Sequence, residues 1–219
     1  MGSGAPGPSG VRQLSRGGQS PWSPKATTGI AIFDFDDTLI AGDSLPRFLD
    51  EVAGPLRTRL AMVKAVAGAL TGPPAGVDFP GSVKARLLQT TLAGRAVAEA
   101  HAAARRLKAR VVWRRPQVDA LLAHAAAGRR VAVASGALDV YLPILLEGLP
   151  VDDILATAME IDAGHLTGQL ATDNCVRRAK ASRITAYLAT HAPTGPTWGY
   201  GNHPSDLPML ALVDHPMIV

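Results

Sequence analysis

Three carboxylates and a threonine leave an apolar run at Gly29-Ile30-Ala31-Ile32-Phe33-Asp34-Phe35-Asp36-Asp37-Thr38. Asp34 and Asp36 stand two residues apart, so in a continuing strand their side chains share a face. Like charges converging at a strand end need a cation between them, and hard oxygen donors favour magnesium. Farther on, Ser135-Gly136 follows the apolar run Val131-Ala132-Val133-Ala134, Lys180 lies in a helical stretch, and Asn202 and Asp206 follow a third run ending at Gly201. A hydroxyl and free backbone N–H groups where a strand enters a helix suit a phosphate. Lys180 is a point charge able to reach the same anion and a neighbouring carboxylate. Asn202 and Asp206 add oxygen ligands opposite the first two aspartates. Together these groups are equipped for phosphoryl transfer: Asp34 attacks phosphorus in line to give an aspartyl-phosphate, and magnesium offsets the approaching like charges. Asp36 protonates the leaving oxygen, then deprotonates the water that hydrolyses the intermediate. The competing reading is an acidic turn after a core strand.

The elements must bring these residues to one place. The run at 30–33 reads as a strand buried on both faces, and 130–134, 154–157, 197–201 and 215–219 read as further strands. Helices are predicted over 44–53, 55–70, 81–92, 95–112 and 116–127, with a loop at 71–76. In the second of these, Leu56, Leu60, Val63, Ala67 and Leu70 form the apolar face. Later helices are predicted over 138–147, 177–190 and 206–213, and a hairpin over 158–170 turns at Asp162-Ala163-Gly164. Strands alternating with helices predict an α/β fold, a Rossmann-like core with a mostly parallel sheet. The clusters at Asp34/Asp36/Thr38, Ser135-Gly136 and Asn202–Asp206 then fall along the carboxyl edge of the sheet, where such folds bind ligands.

The organisation predicted is a tail over 1–28, a core formed by 29–42 and 128–219, and a helical insertion over 43–127. The Gly, Pro and Ser content of the tail predicts disorder, and it lacks the apolar stretch of a secretion signal. With 47% apolar and 18% charged residues among 219, a sizeable core is available. A net charge of +4 is spread over scattered arginine pairs without interleaved aromatics, which argues against a nucleic-acid partner. No run approaches the ~18 apolar residues of an integral membrane segment. A lone Cys175 excludes an internal disulfide framework and thiolate metal clusters, and suits the cytoplasm.

The motifs resemble those of the haloacid dehalogenase superfamily. Asp34-Phe35-Asp36-Asp37-Thr38 matches its first motif, DxDx[TV]; Ser135 after its apolar run matches the second, Lys180 the third, and Gly201-Asn202-His203-Pro204-Ser205-Asp206 the fourth. The likeness spans about 30–219, and the insertion resembles the type 1 (C1) helical cap. Gly42-Asp43-Ser44, Leu166-Thr167-Gly168, Asn174-Cys175 and Asp206-Leu207-Pro208-Met209-Leu210 are similar to the phosphoserine-phosphatase-like branch, subfamily IB. The resemblance implies Asp34 as nucleophile and Asp36 as acid/base. It implies phosphate binding by Thr38, Ser135, Gly136 and Lys180, and magnesium held by Asp34, the Asp36 carbonyl and the fourth motif (Asn202, Asp206). Where relatives place an aspartate ligand, this chain has Asn202, which brings no charge. The chain also ends sooner after the fourth motif than this branch does, which predicts a thinly covered sheet edge.

By position in the resemblance, Asp43 and Lys84 fall where phosphoserine phosphatases place a glutamate and an arginine facing the substrate. Both keep charge sign and change geometry, which argues against strict phosphoserine specificity. Arg47 and Arg86 are further cations of the insertion that could face the cleft. Asp43 could equally cap the helix at Ser44, and Lys84 and Arg86 could be solvated helix charges. Asp37 reads as a loop residue, Cys175 as a packed thiol, and His203 as a supporting residue of its motif. The function predicted is a magnesium-dependent phosphomonoester hydrolase acting on a small phosphorylated metabolite. Its rivals are a phosphotransferase to an alcohol acceptor, a lipid-phosphate phosphatase, and a catalytically weak homologue that only binds a phosphorylated ligand. The oligomeric state is not legible.

Overall fold

Alternation along β2 (Ile30–Phe33) sends Ile30 and Ile32 to one side of a sheet and Ala31 and Phe33 to the other, and both sides are buried. That requires neighbours on both edges and cover on both faces. A computed structural model of the chain, describing residues 11–13, 28–72, 78–202 and 204–219, supplies both. β2 pairs in parallel with β3 (Arg130–Leu138) on one side and β7 (Thr197–Gly201) on the other. Beyond them lie β4 (Asp153–Thr157), parallel to β3, and β8 (His215–Ile218), parallel to β7. β1 (Val11–Gln13) adds an antiparallel edge to β4, giving the order β1-β4-β3-β2-β7-β8. The tail is predicted to be disordered, but these three residues find the unpaired edge of β4; the rest of 1–27 lies outside the described residues, as do 73–76 of the loop at 71–76. At the other edge all four residues of β8 are exposed.

Five helices separate β2 from β3: α1 (Ser44–Ala53), α2 (Pro55–Leu70), α3 (Phe79–Leu92), α4 (Val97–Lys108) and α5 (Arg115–Ala126). α5, grouped with the insertion on sequence, packs against β2 and β3. α1 to α4 pack on one another, α4 also meets α6 (Leu142–Leu146), and α3 lies on β6 (His165–Leu170). β6 forms a hairpin with β5 (Met159–Asp162), whose turn at Ala163 and Gly164 has positive φ at both residues, as a tight two-residue connection requires. The chain leaves the sheet and returns to it side by side: Ala41 N donates to Val112 O and Arg114 N to Leu39 O, both at 2.9 Å. The opposite face is closed by α7 (Arg177–His191) and α8 (Leu207–Leu210) over Ile30, Ile32, Ala132, Ala134 and Leu155.

Three sequence expectations need correction. The second strand does not stop at Ser135; β3 continues to Leu138, shifting its register against β4 between Ala134 and Leu138. The helix expected over 138–147 shrinks to α6, because a turn at Asp139 and Val140 comes first. The apolar line of α2 faces outward: Thr58, Ala61, Ala65 and Ala69 are its buried residues, while Leu56, Leu60, Val63 and Leu70 are exposed.

Candidate active site

The carboxyl ends of β2, β3 and β7 deliver the predicted residues into one cleft of about 560 Å³ between the sheet and the insertion, lined by Asp34, Asp36, Ser135, Gly136, Lys180, Asn202 and Asp206. Asp34 N donates to Tyr200 O at 2.8 Å, so sheet pairing holds its backbone. Its Oδ1 accepts from Lys180 Nζ at 2.7 Å and its Oδ2 from Thr38 Oγ1 at 3.0 Å. Thr38 is brought back by a tight turn in which Leu39 N donates to Phe35 O at 2.9 Å. Asp37, at φ 55°, belongs to that turn: its Oδ1 accepts from Gly42 N at 2.7 Å.

Lys180 lies in the first turn of α7 and is buried between two acids, 2.7 Å from Asp34 Oδ1 and 2.6 Å from Asp206 Oδ1. Burial works against its charge, but the two carboxylates outweigh burial and raise its pKa. Burial raises the Asp34 pKa against the pull of Lys180, with Asp206 adding to the rise. Asp206 Oδ2 accepts from Asn202 N at 3.1 Å, and Ser205 Oγ donates to Asn202 Oδ1 at 3.3 Å. This loop leaves no room for a side chain at Gly201, where a Cβ would come within 2.6 Å of Asp206 Cβ. His203 lies outside the described residues.

Asp36 is held differently. Its Oδ1 accepts from Ser44 N at 2.7 Å, while the Ser44 hydroxyl is 2.9 Å from Tyr141 Oη. Burial pushes its carboxyl up to about 7 and Asp43 adds to this, with Ser44 pulling the other way. Asp36 can therefore hold or release a proton near neutrality, which an acid/base group requires. Asp43 serves as the cap of α1, its Oδ1 accepting from Leu45 N at 2.9 Å, and it lines the cleft as well.

Ser135 is buried, and its Oγ accepts from Ala137 N at 3.1 Å. Because β3 runs on, Ser135 and Gly136 do not stand at the helix N-terminus expected there but in the segment where the strand shifts its register against β4. Gly136 is confined there by Val176, whose Cγ1 would be 2.7 Å from an added Cβ.

Of the cations in the insertion, Lys84 enters the cleft. Its Nζ donates to Gly136 O at 2.7 Å and to Asn174 Oδ1 at 2.6 Å, tying α3 to the core. Burial lowers its pKa to about 8, against Asp43 and Asp36. In the sequence Asn174 enters only through the Asn174-Cys175 stretch of the resemblance, with no contact predicted for its side chain. Here it accepts from Lys84 and, at 3.2 Å, from Thr157 Oγ1. Arg86 does not line this cleft; it lies against Gly68 and lines an adjoining groove. Arg47 is also outside, with its guanidinium against Gly42.

A family model for haloacid dehalogenase-like hydrolase matches residues 31–211, which takes in every predicted motif. The chain belongs to this family. It is 28% identical over 194 residues to Protein CicA of Caulobacter vibrioides, covering 84% of this chain and 83% of that protein. Among solved structures it is similar to a protein of unknown function from Bordetella pertussis Tohama I, with TM-score 0.74, 22% identity, and 88% and 90% of the two chains covered. It shares its fold with a phosphoserine phosphatase solved as a phospho-aspartyl intermediate analogue, with TM-score 0.61, 18% identity and 88% and 86% covered.

Among the described residues, no three His, Cys, Asp or Glu side chains group as they would around an ion. Asp206 in particular is turned to Lys180 and the Asn202 N–H. Asp34, Asp36 and Asn202, which line the cleft, offer carboxylate, carbonyl and amide oxygens. In kind they fit magnesium. No described helix is long and apolar enough to cross a membrane.

Proposed function

We propose that the chain is a magnesium-dependent phosphomonoester hydrolase that works through an aspartyl-phosphate on Asp34. The observation that carries this reading is a buried Asp34 carboxylate, fixed by Lys180 and Thr38, in one cleft with an Asp36 whose Oδ1 is held by Ser44 N. In the first step an Asp34 oxygen bonds to phosphorus as the ester P–O bond breaks, and Asp36 gives its proton to the leaving oxygen. In the second, water attacks phosphorus and passes a proton to Asp36, and the P–O bond to Asp34 breaks, releasing phosphate. The Ser135 hydroxyl, the Gly136 segment and the Lys180 ammonium orient the transferred group. Magnesium, held by the Asp34 carboxylate, the Asp36 carbonyl and the Asn202 amide oxygen, would supply charge neutralisation. Asp206 then acts as a positioning residue, fixing Lys180 and the backbone of Asn202.

The cleft volume suits a small organic phosphate. Leu45, Met62, Phe79 and Val83 give its insertion side an apolar wall against which the organic part can lie. Asp34→Asn tests the reading. Magnesium-dependent release of phosphate from an aryl phosphate should fall to background while circular dichroism stays unchanged; normal turnover in that variant refutes the nucleophile assignment.

A further inference from the structure

α2 is built inside out. Its small residues Thr58, Ala61, Ala65 and Ala69 meet the protein, while Leu56, Leu60, Val63 and Leu70 stand 70%, 55%, 68% and 74% exposed. With Ala67 these follow an i, i+4, i+7, i+11, i+14 line along a rod about 24 Å long. The exposed cations Arg57 and Lys64 fall on one flank of the line and Arg59 on the other, and α2 contains no acid. Of the acids nearby, Glu51 is engaged by Arg106 and Arg110 and Asp78 by Arg177, which leaves Asp50, at the end of α1, as the exposed acid beside the start of α2.

An apolar ridge rimmed by cations on both flanks is the pattern of a helix that lies in a membrane interface, with its aliphatic side chains below the headgroups and its cations among them. We propose that the outward face of α2 docks onto an anionic lipid bilayer. A second copy of the chain fits less well, because pairing α2 with itself sets the same cations, which have no acidic partner among the described residues, against one another. A protein partner is also disfavoured: the ridge is convex and aliphatic, whereas protein hot spots set Trp, Tyr or Arg into pockets. Met62 and Val66 of the same helix line the active-site cleft, so docking would bring the mouth of the cleft to the headgroup layer. Docking does not depend on the proposed hydrolase activity, and its test reads binding alone.

The test is co-sedimentation of the full chain with vesicles of phosphatidylcholine, alone or with about one-third phosphatidylglycerol. Binding is expected to the mixed vesicles only and to weaken in high salt. Arg57→Gln and Lys64→Gln should each weaken it about fivefold, and Leu60→Glu/Val63→Glu by at least about tenfold. An unchanged urea midpoint for these variants shows that the fold is kept. No binding to mixed vesicles, equal binding to both compositions, or undiminished binding by Leu60→Glu/Val63→Glu would overturn the proposal. So would a dimer in sedimentation equilibrium that the double variant dissociates, since α2 would then be covered by a second copy.

Discussion

Replacing Lys180 by Met removes one ammonium from between two buried carboxylates. Each N–O contact of 2.6 or 2.7 Å corresponds to about 6 kcal/mol of attraction at an effective dielectric of ~20. Desolvation of the three charges cancels most of that sum. What remains after deletion is an Asp34 and an Asp206 facing each other without a counter-charge, and breaking buried pairs of this kind destabilises by about 3–5 kcal/mol. The loss must depend on pH. Burial already raises the Asp34 pKa, and loss of the ammonium raises it further. A carboxyl with a raised folded pKa contributes stability that is complete below its unfolded value and is lost as pH rises through the folded value. The destabilisation should therefore be smaller near pH ~4.5 than near pH ~7.5. Urea unfolding of the metal-free protein, with EDTA present, reads this directly. Lys180→Met/Asp206→Asn should recover about 1–3 kcal/mol at the higher pH by removing the repulsion. A loss below about 1 kcal/mol at pH ~7.5, or an equal loss at both pH values, would show that the three charges do not form one balanced unit.

Three other outcomes follow from the same geometry. Asp153 is fully buried, bridged by both the Nε and Nη2 of Arg130 and by Tyr187 Oη at 2.6 Å; Asp153→Asn should cost about 3–5 kcal/mol in urea. Its kcat should be unchanged, because the network lies at the opposite end of the strands from Asp34. His124 is held neutral by burial and by Arg129, its pKa lowered to about 4, so the unfolded chain takes up the proton first and stability falls as pH drops from about 6.5 towards 4. Allowing for solvent screening, about 1–2 kcal/mol of that slope should vanish in His124→Leu thermal melts. Lys84→Met breaks the tie between α3 and the core and should lower kcat/KM on an aryl phosphate about ten- to a hundredfold; Arg86→Met, outside the cleft, should stay within about twofold.

The strand ends were legible in the sequence because apolar runs followed by polar clusters carry two signals at once, a buried element and its exit. Asp34, Ser135, Lys180 and Asp206 accordingly meet in one cleft. The outward face of α2 was not legible, since periodicity tells which residues share a face and not whether that face meets protein. Small residues at Ala61, Ala65 and Ala69 allow close helix packing, and that preference decided the orientation. The continuation of β3 through Ser135 was hidden for a related reason: Ser-Gly reads as a break, yet pairing with β4 resumes at Leu138. The contact of Asn174 with Lys84 is not legible, although Asn174-Cys175 carries part of the resemblance, because the two residues lie ninety positions apart in sequence.

The paired hydrogen bonds between 39–41 and 112–114 act as a collar on everything they enclose. Whatever the enclosed segment contains, its two attachment points are held one strand spacing apart, so the register of β2 against β3 is indifferent to it. Closure entropy grows only slowly with the length enclosed. Helices could therefore be added, removed or exchanged with a relative's while Asp34 stays in place, making this collar the natural splice point for building chimaeras that differ in the insertion.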